Sequence, residues 1–128
     1  MIGTEIQKAI YDALAAPPAV AGGLIYDAVP EGAGFPRVTI GQEQVLGDGN
    51  SCGHGWEVFS DVHIWSRETG FPEAKILASE VVKRILGIDE LAGHSLVSVD
   101  FRDQRVLRDP DGLTSHVVCS FLFTVDEI

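Results

Sequence analysis

Basic residues are scarce in this chain. Nine Lys and Arg stand against 19 Asp and Glu, a formal net charge of -10 over 128 residues. Proteins that grip nucleic-acid backbones or read base edges need clustered Lys and Arg, so that class is set aside. An acidic wall that DNA merely passes is not, although a plainly solvated acidic surface is the simpler reading. Cysteine is scarcer still, with only Cys52 and Cys119. Two lone thiols make no disulfide framework and fit a reducing compartment. Long apolar runs are missing: nothing approaches the ~18 residues a membrane helix needs. The opening MIGTEIQKAI has neither the basic start nor the apolar stretch of a signal peptide. Neither a signal peptide nor a membrane partner is therefore expected.

What is present is a globular composition, 45% hydrophobic, at a length that suggests one domain over residues 1–128. The last third organises it. Val117, Cys119, Phe121, Phe123 and Val125 alternate strictly, so one face of that strand is apolar from end to end. Upstream, Val97, Val99 and Phe101 share the same period of two. Between the two runs lies Asp109-Pro110-Asp111-Gly112. Proline presets a turn's second position, aspartate bonds its own backbone, and glycine accepts φ > 0. A one-residue slip would turn the aromatic rings to water, so the register is well specified.

Ahead of this hairpin, Gly3 to Ala16 carries Ile6, Ile10, Ala13 and Leu14 at helical spacing and stops at Pro17-Pro18. Ala19 to Gly23 reads as a small, flexible link, Leu24-Ile25-Tyr26 makes a short strand, and Arg37 to Leu46 and Trp56 to Trp65 make two long ones. Pro72 opens a second helix, Ala74, Leu77, Ala78, Val81 and Ile85 form its buried stripe, and Gly87 ends it. Glu80 and Arg84 are spaced as an i, i+4 pair worth a few tenths of a kcal/mol when exposed. The order α-β-β-β-α-β-β predicts an α+β fold. Four long strands and one short strand form a largely antiparallel sheet, with both helices on one face.

The opposite face of that sheet is not cleanly polar, as a solvated face would be. Val118 and Leu122 lie opposite the apolar ladder, and Phe59 and Trp65 opposite Val58, Val62 and Ile64. Either the sheet curls on itself or another subunit covers it. Val118, Leu122, Phe59 and Trp65 are the candidate interface residues, and a glutamate at position 118 or 122 is expected to block assembly while leaving the subunit folded. Catalytic constellations are weak by comparison. Cys52-x-His54 is half a metal motif without its second half. His116 falls on the outward register and reads as solvated. Asp100, Asp103, Asp109 and Asp111 are interleaved with Arg102, Arg105 and Arg108, the pattern of a solvated strand face. No active site, metal or cofactor emerges.

Ordered short motifs remain. Leu24-Ile25-Tyr26-Asp27-Ala28-Val29-Pro30, Phe35-Pro36 and His63-Ile64-Trp65-Ser66-Arg67 resemble runs found in small phage tail-completion proteins. So do Leu91-Ala92-Gly93-His94 and Arg105 to Gly112 with Thr114 and His116. The set is similar to the tail terminators of long-tailed phages, prophages and gene transfer agents. That resemblance implies an α+β subunit forming a ring, commonly a hexamer, that caps the tail tube, halts its polymerisation and joins tail to head. It implies DNA passing through the centre without specific binding, partners in the tail-tube and head-connector proteins, and neither catalysis nor cofactor. It also implies assembly in the host cytoplasm and residence at the head-tail joint of a virion or gene-transfer-agent particle. Two loops are expected to project towards those partners: Gly47–Gly55, through Asp48, Asn50 and His54, and the hairpin turn, through Asp109 and Asp111. The rival readings are a small-molecule-binding α+β domain with a pocket between sheet and helices, and a hydrolase or metal enzyme built on Cys52, His54 and the aspartates.

Overall fold

A computed structural model describes residues 2–47 and 55–127. Helix α1 runs Ile2–Ala15, and α2 runs Pro72–Leu86 with proline in its first turn. The strands are β1 (Ile25–Tyr26), β2 (Arg37–Gly47), β3 (Gly55–Ser66), β4 (His94–Arg108) and β5 (Ser115–Glu127). They form one sheet in the order β1-β2-β3-β5-β4. Among the described residues only β1 pairs in parallel, through Ile25 opposite Val38 and Tyr26 opposite Thr39. The expected α+β class and element order hold.

Strand β5 is the spine. Its register with β3 is unbroken from Gly55–Asp126 to Ser66–Ser115, which puts Val117, Cys119, Phe121, Phe123 and Val125 against Ile64, Val62 and Val58 on one face. Helix residues Ile6, Ile10 and Leu14 of α1 and Ala74, Ala78, Val81 and Ile85 of α2 close over that face in a single buried cluster. The small alanines on α2 let the helix lie close to the sheet, where larger side chains would hold it off. Buried hydroxyls fix the end of this layer. Ser66 Oγ donates to Glu73 Oε1 at 2.7 Å, and Ser115 Oγ donates to the Gly70 carbonyl at 2.9 Å. Both tie the sheet to the start of α2.

The turn closes as its residues require. Gly112 N–H donates to the Asp109 carbonyl at 2.9 Å, with Gly112 at φ 73°. Asp111 Oδ1 accepts from Leu113 N and Thr114 N, both at 2.8 Å, and Oδ2 from Thr114 Oγ1 at 2.7 Å.

Three expectations need correction. Val97 does not share a face with Val99 and Phe101: an irregularity between Leu96 and Ser98 puts Leu96 opposite Val125 and leaves Val97 57% exposed. Ala19 to Gly23 is not simply a flexible link, because Val20–Gly23 forms a 3-10 turn that buries Val20. Arg84 is more than half of a surface ion pair, being only 17% exposed. Besides Glu80, its guanidinium reaches the Ala13, Leu14, Ala16 and Pro18 carbonyls at the end of α1. α1 has no basic residue in its last turn; α2 supplies the positive charge its dipole favours there.

Candidate functional site

Among the described residues, no helix covers the other face of the sheet; the cluster beneath α1 and α2 includes neither Val118 nor Leu122. The sequence leaves open whether the sheet itself or a partner buries these two. The structure shows both buried within one chain, at 2% and 8% exposure. Val118 sits between His63 of β3 and Arg105 of β4, and Leu122 between Phe59 and Asp100. Both sit between paired strands, with a neighbour on each side in the sheet. Placing a glutamate at either position therefore threatens the subunit's own folding, contrary to the expectation of a folded but unassembled chain. Phe59 and Trp65 are only partly buried, so a partner can reach them.

Around Trp65 the open face is ordered by stacking. The Trp65 and His116 rings lie 3.7 Å apart at 11°, and His63 stacks on His116 at 4.9 Å. Trp65 Nε1 donates to Thr39 Oγ1 at 3.1 Å. His63 Nδ1 and His116 Nε2 are 2.7 Å apart, so one ring donates and the other accepts, which requires neutral imidazole on the accepting side. Burial is the main force depressing both groups, with His116 pushed down to about 4. Arg105 depresses both further, while Asp61 opposes this at His63 and Asp109 at His116. His116 is thus not the freely solvated residue expected from its outward register. Gly41 makes room for the arrangement, since a Cβ there would lie 2.6 Å from the His63 ring. Asp61 is held by Ser120 Oγ at 2.8 Å, and Phe35 lies between the guanidinium groups of Arg37 and Arg67, each 4.2 Å from its centroid.

Beside this stack an open groove of about 420 Å³ is lined by Asp27, Arg37, Thr39, Asp61, Trp65 and Arg105 among others. It lies on the helix-free face, not between sheet and helices where the small-molecule reading places its pocket. Titratable groups do not converge as a metal site: among the described residues, no three His, Cys, Asp or Glu side chains form a metal-holding group. Burial raises the Cys119 thiol to about 11, the reverse of an activated nucleophile. Cys52, Asp48, Asn50 and His54 lie outside the described residues. Asp109 and Asp111 stand at the β4–β5 hairpin tip, next to Ser115, which pairs with Ser66 at the far end of β3 from Gly55, and Asp111 is engaged by its own turn. The sequence alone missed the His63–Trp65–His116 stack, because it depends on the β3–β5 register. A shared outward register on two paired strands was its only sequence signal.

The helix-free face, bearing Phe59 and the Trp65–His116–His63 stack, is thus the aromatic side of a sheet whose other side is closed by α1 and α2. Residues 8–126 match the family "Tail completion protein gp17", and the chain belongs to this family of phage tail proteins. It is similar to a chain in the virion of a native gene transfer agent particle, at 26% identity and a TM-score of 0.88, covering 98% of this chain and 97% of that one. No curated protein matches the chain by sequence. Among the described residues, no helix is long and apolar enough to cross a membrane.

Proposed function

We propose that this protein is a tail terminator, a non-enzymatic structural subunit whose residues 1–128 make one domain. Copies close into a ring, a hexamer on the family pattern, that caps the tail tube, stops its growth and joins tail to head. DNA passes through the centre without specific binding. The subunit assembles in the bacterial cytoplasm and resides at the head-tail joint, with the tail-tube and head-connector proteins as partners. What carries this reading is the near end-to-end likeness to a chain of a gene-transfer-agent virion. Phe59 and Trp65 are the part-exposed contacts of the open face, with Leu122 beside Phe59 and Val118 beside His63 as the buried members of the same face. Asp109 and Asp111, with Asp48, Asn50 and His54 of the other loop, contact the tube or head side.

Polymerising the cognate tail-tube protein with and without this chain tests the proposal by electron microscopy. The expected result is shorter tubes bearing a ring at one end. Tubes of unchanged length, with this protein left free in solution, would sink it.

A further inference from the structure

Among the described residues the sheet has two free edges, one at each end. Strand β1 engages β2 only at Val38 and Thr39, so from Gly41 to Gly47 β2 has β3 on one side and no strand on the other among the described residues. Strand β4 is the opposite edge along all 15 of its residues. Unpaired N–H and C=O groups along an edge are a template for another strand. The exposed apolar residues gather on the same two strands. Of the eleven large apolar side chains exposed among the described residues, Val45 and Leu46 are on β2, and Val97, Phe101, Val106 and Leu107 on β4.

The two edges differ in charge. Gly41–Gly47 carries Glu43 and no cation, whereas Phe101–Arg108 carries Arg102, Arg105 and Arg108 against Asp103 alone. A third of the chain's nine basic residues therefore sit on one short edge of an otherwise acidic protein. Strand direction also fits. Antiparallel pairing through β3 and β5 makes β4 run opposite to β2. A second copy rotated about an axis along the strands keeps its strand directions, so its β2 meets the first copy's β4 antiparallel. Such head-to-tail contacts use a different edge from each partner and close into a ring.

We propose that β4 of one copy pairs with the Gly41–Gly47 stretch of β2 in the next, so that the subunit sheets run on from copy to copy. Seven residues at about 3.4 Å each give a seam of roughly 24 Å, flanked by Val45 and Leu46 on one side and Phe101, Val106 and Leu107 on the other. Register irregularities at Ile40/Glu43 and Phe101/Asp103 add twist at both edges, which discourages flat, open-ended stacking. The inference rests on the ring reading and supplies the contact that closes it.

The test uses two single-site variants, Val45→Cys and Val106→Cys, each in a Cys52→Ser background, assembled with tail-tube protein and treated with a bismaleimide of about 10 Å span. Electron microscopy first scores ring formation. With rings present, the proposal expects cross-linked dimers in an equal mixture of the variants and none from either variant alone. A doubly substituted chain should give a ladder of higher multimers. Rings without mixed cross-links overturn the edge pairing and leave the ring reading standing. Cross-linking of either variant alone points to two-fold self-pairing and also overturns it. If the unsubstituted protein forms no ring on tubes, the ring reading fails and the seam fails with it.

Discussion

Replacing Arg84 with alanine should cost far more than an exposed i, i+4 ion pair is worth. The guanidinium Nη1 lies 3.2 Å from the Ala13 and Leu14 carbonyls and 2.8 Å from that of Ala16, and Nη2 reaches Pro18. These are the carbonyls a helix end leaves without intrahelical partners. Hydrogen bonds to a charged group contribute about 1.5–3 kcal/mol each. Water can replace the arginine at exposed Ala16 and Pro18 but less well at the half-buried pair. Two carbonyls' worth is about 3–6 kcal/mol; with water recovering roughly half of that, and ~0.3–1 kcal/mol added for the lost charge at the dipole, the loss is about 2–4 kcal/mol. At ~3–5 °C per kcal/mol for a chain of this size, Tm should fall by roughly 6–20 °C. Glu80→Ala, which removes only the exposed pair, should cost a few tenths. Arg84→Lys should recover under half of the loss, because an ammonium lacks the planar fork. Urea unfolding followed by circular dichroism checks all three. If Arg84→Ala and Glu80→Ala agree within ~0.5 kcal/mol, the account of Arg84 as a cap for α1 is wrong.

The His63–His116 pair makes stability fall with acid. Both are depressed in the folded state, so the unfolded chain binds more protons; the stability is fully present above pH 6.5 and is lost as pH drops through that value towards about 4. Screening at this half-exposed site limits the loss to roughly 1–2 kcal/mol, and His116→Phe should flatten that part of a stability-versus-pH curve; parallel curves for the two proteins refute it. Phe123→Ala should destabilise by ~3–5 kcal/mol, whereas Phe101→Ala, truncating a ring that is 42% exposed, should cost under half as much in the same denaturation assay. Val118→Glu should drop Tm sharply, since it puts a carboxylate at a site only 2% exposed, with Arg105 its cross-strand cation; a folded monomer of unchanged Tm would contradict the burial of Val118 within one chain.

Local chemistry explains what the sequence made legible. Strict alternation in Val117 to Val125 placed β5, and Pro72 and Gly87 bounded α2, because those signals act within a few residues. Gly112 showed its positive φ in advance, since an Asp-Pro-Asp-Gly turn requires it. Non-local information decided the rest. The irregularity at Val97 depends on how β4 meets β5, the parallel β1 on how a two-residue strand meets β2, and Arg84's partners on where α1 ends. The open face was the clearest case. Phe59, Trp65, Val118 and Leu122 were visible as a half-apolar set, yet their unequal burial follows from the neighbours that the strand order gives each of them.

Asp111 holds its turn through three hydrogen bonds to one carboxylate, and those bonds lower its pKa to about 2. The tip of the β4–β5 hairpin is consequently a preformed peg, whose contour does not wait for a partner or shift with ordinary acidity. Anything that docks there meets a fixed outline and a permanent negative charge, and little ordering entropy at the tip opposes the encounter.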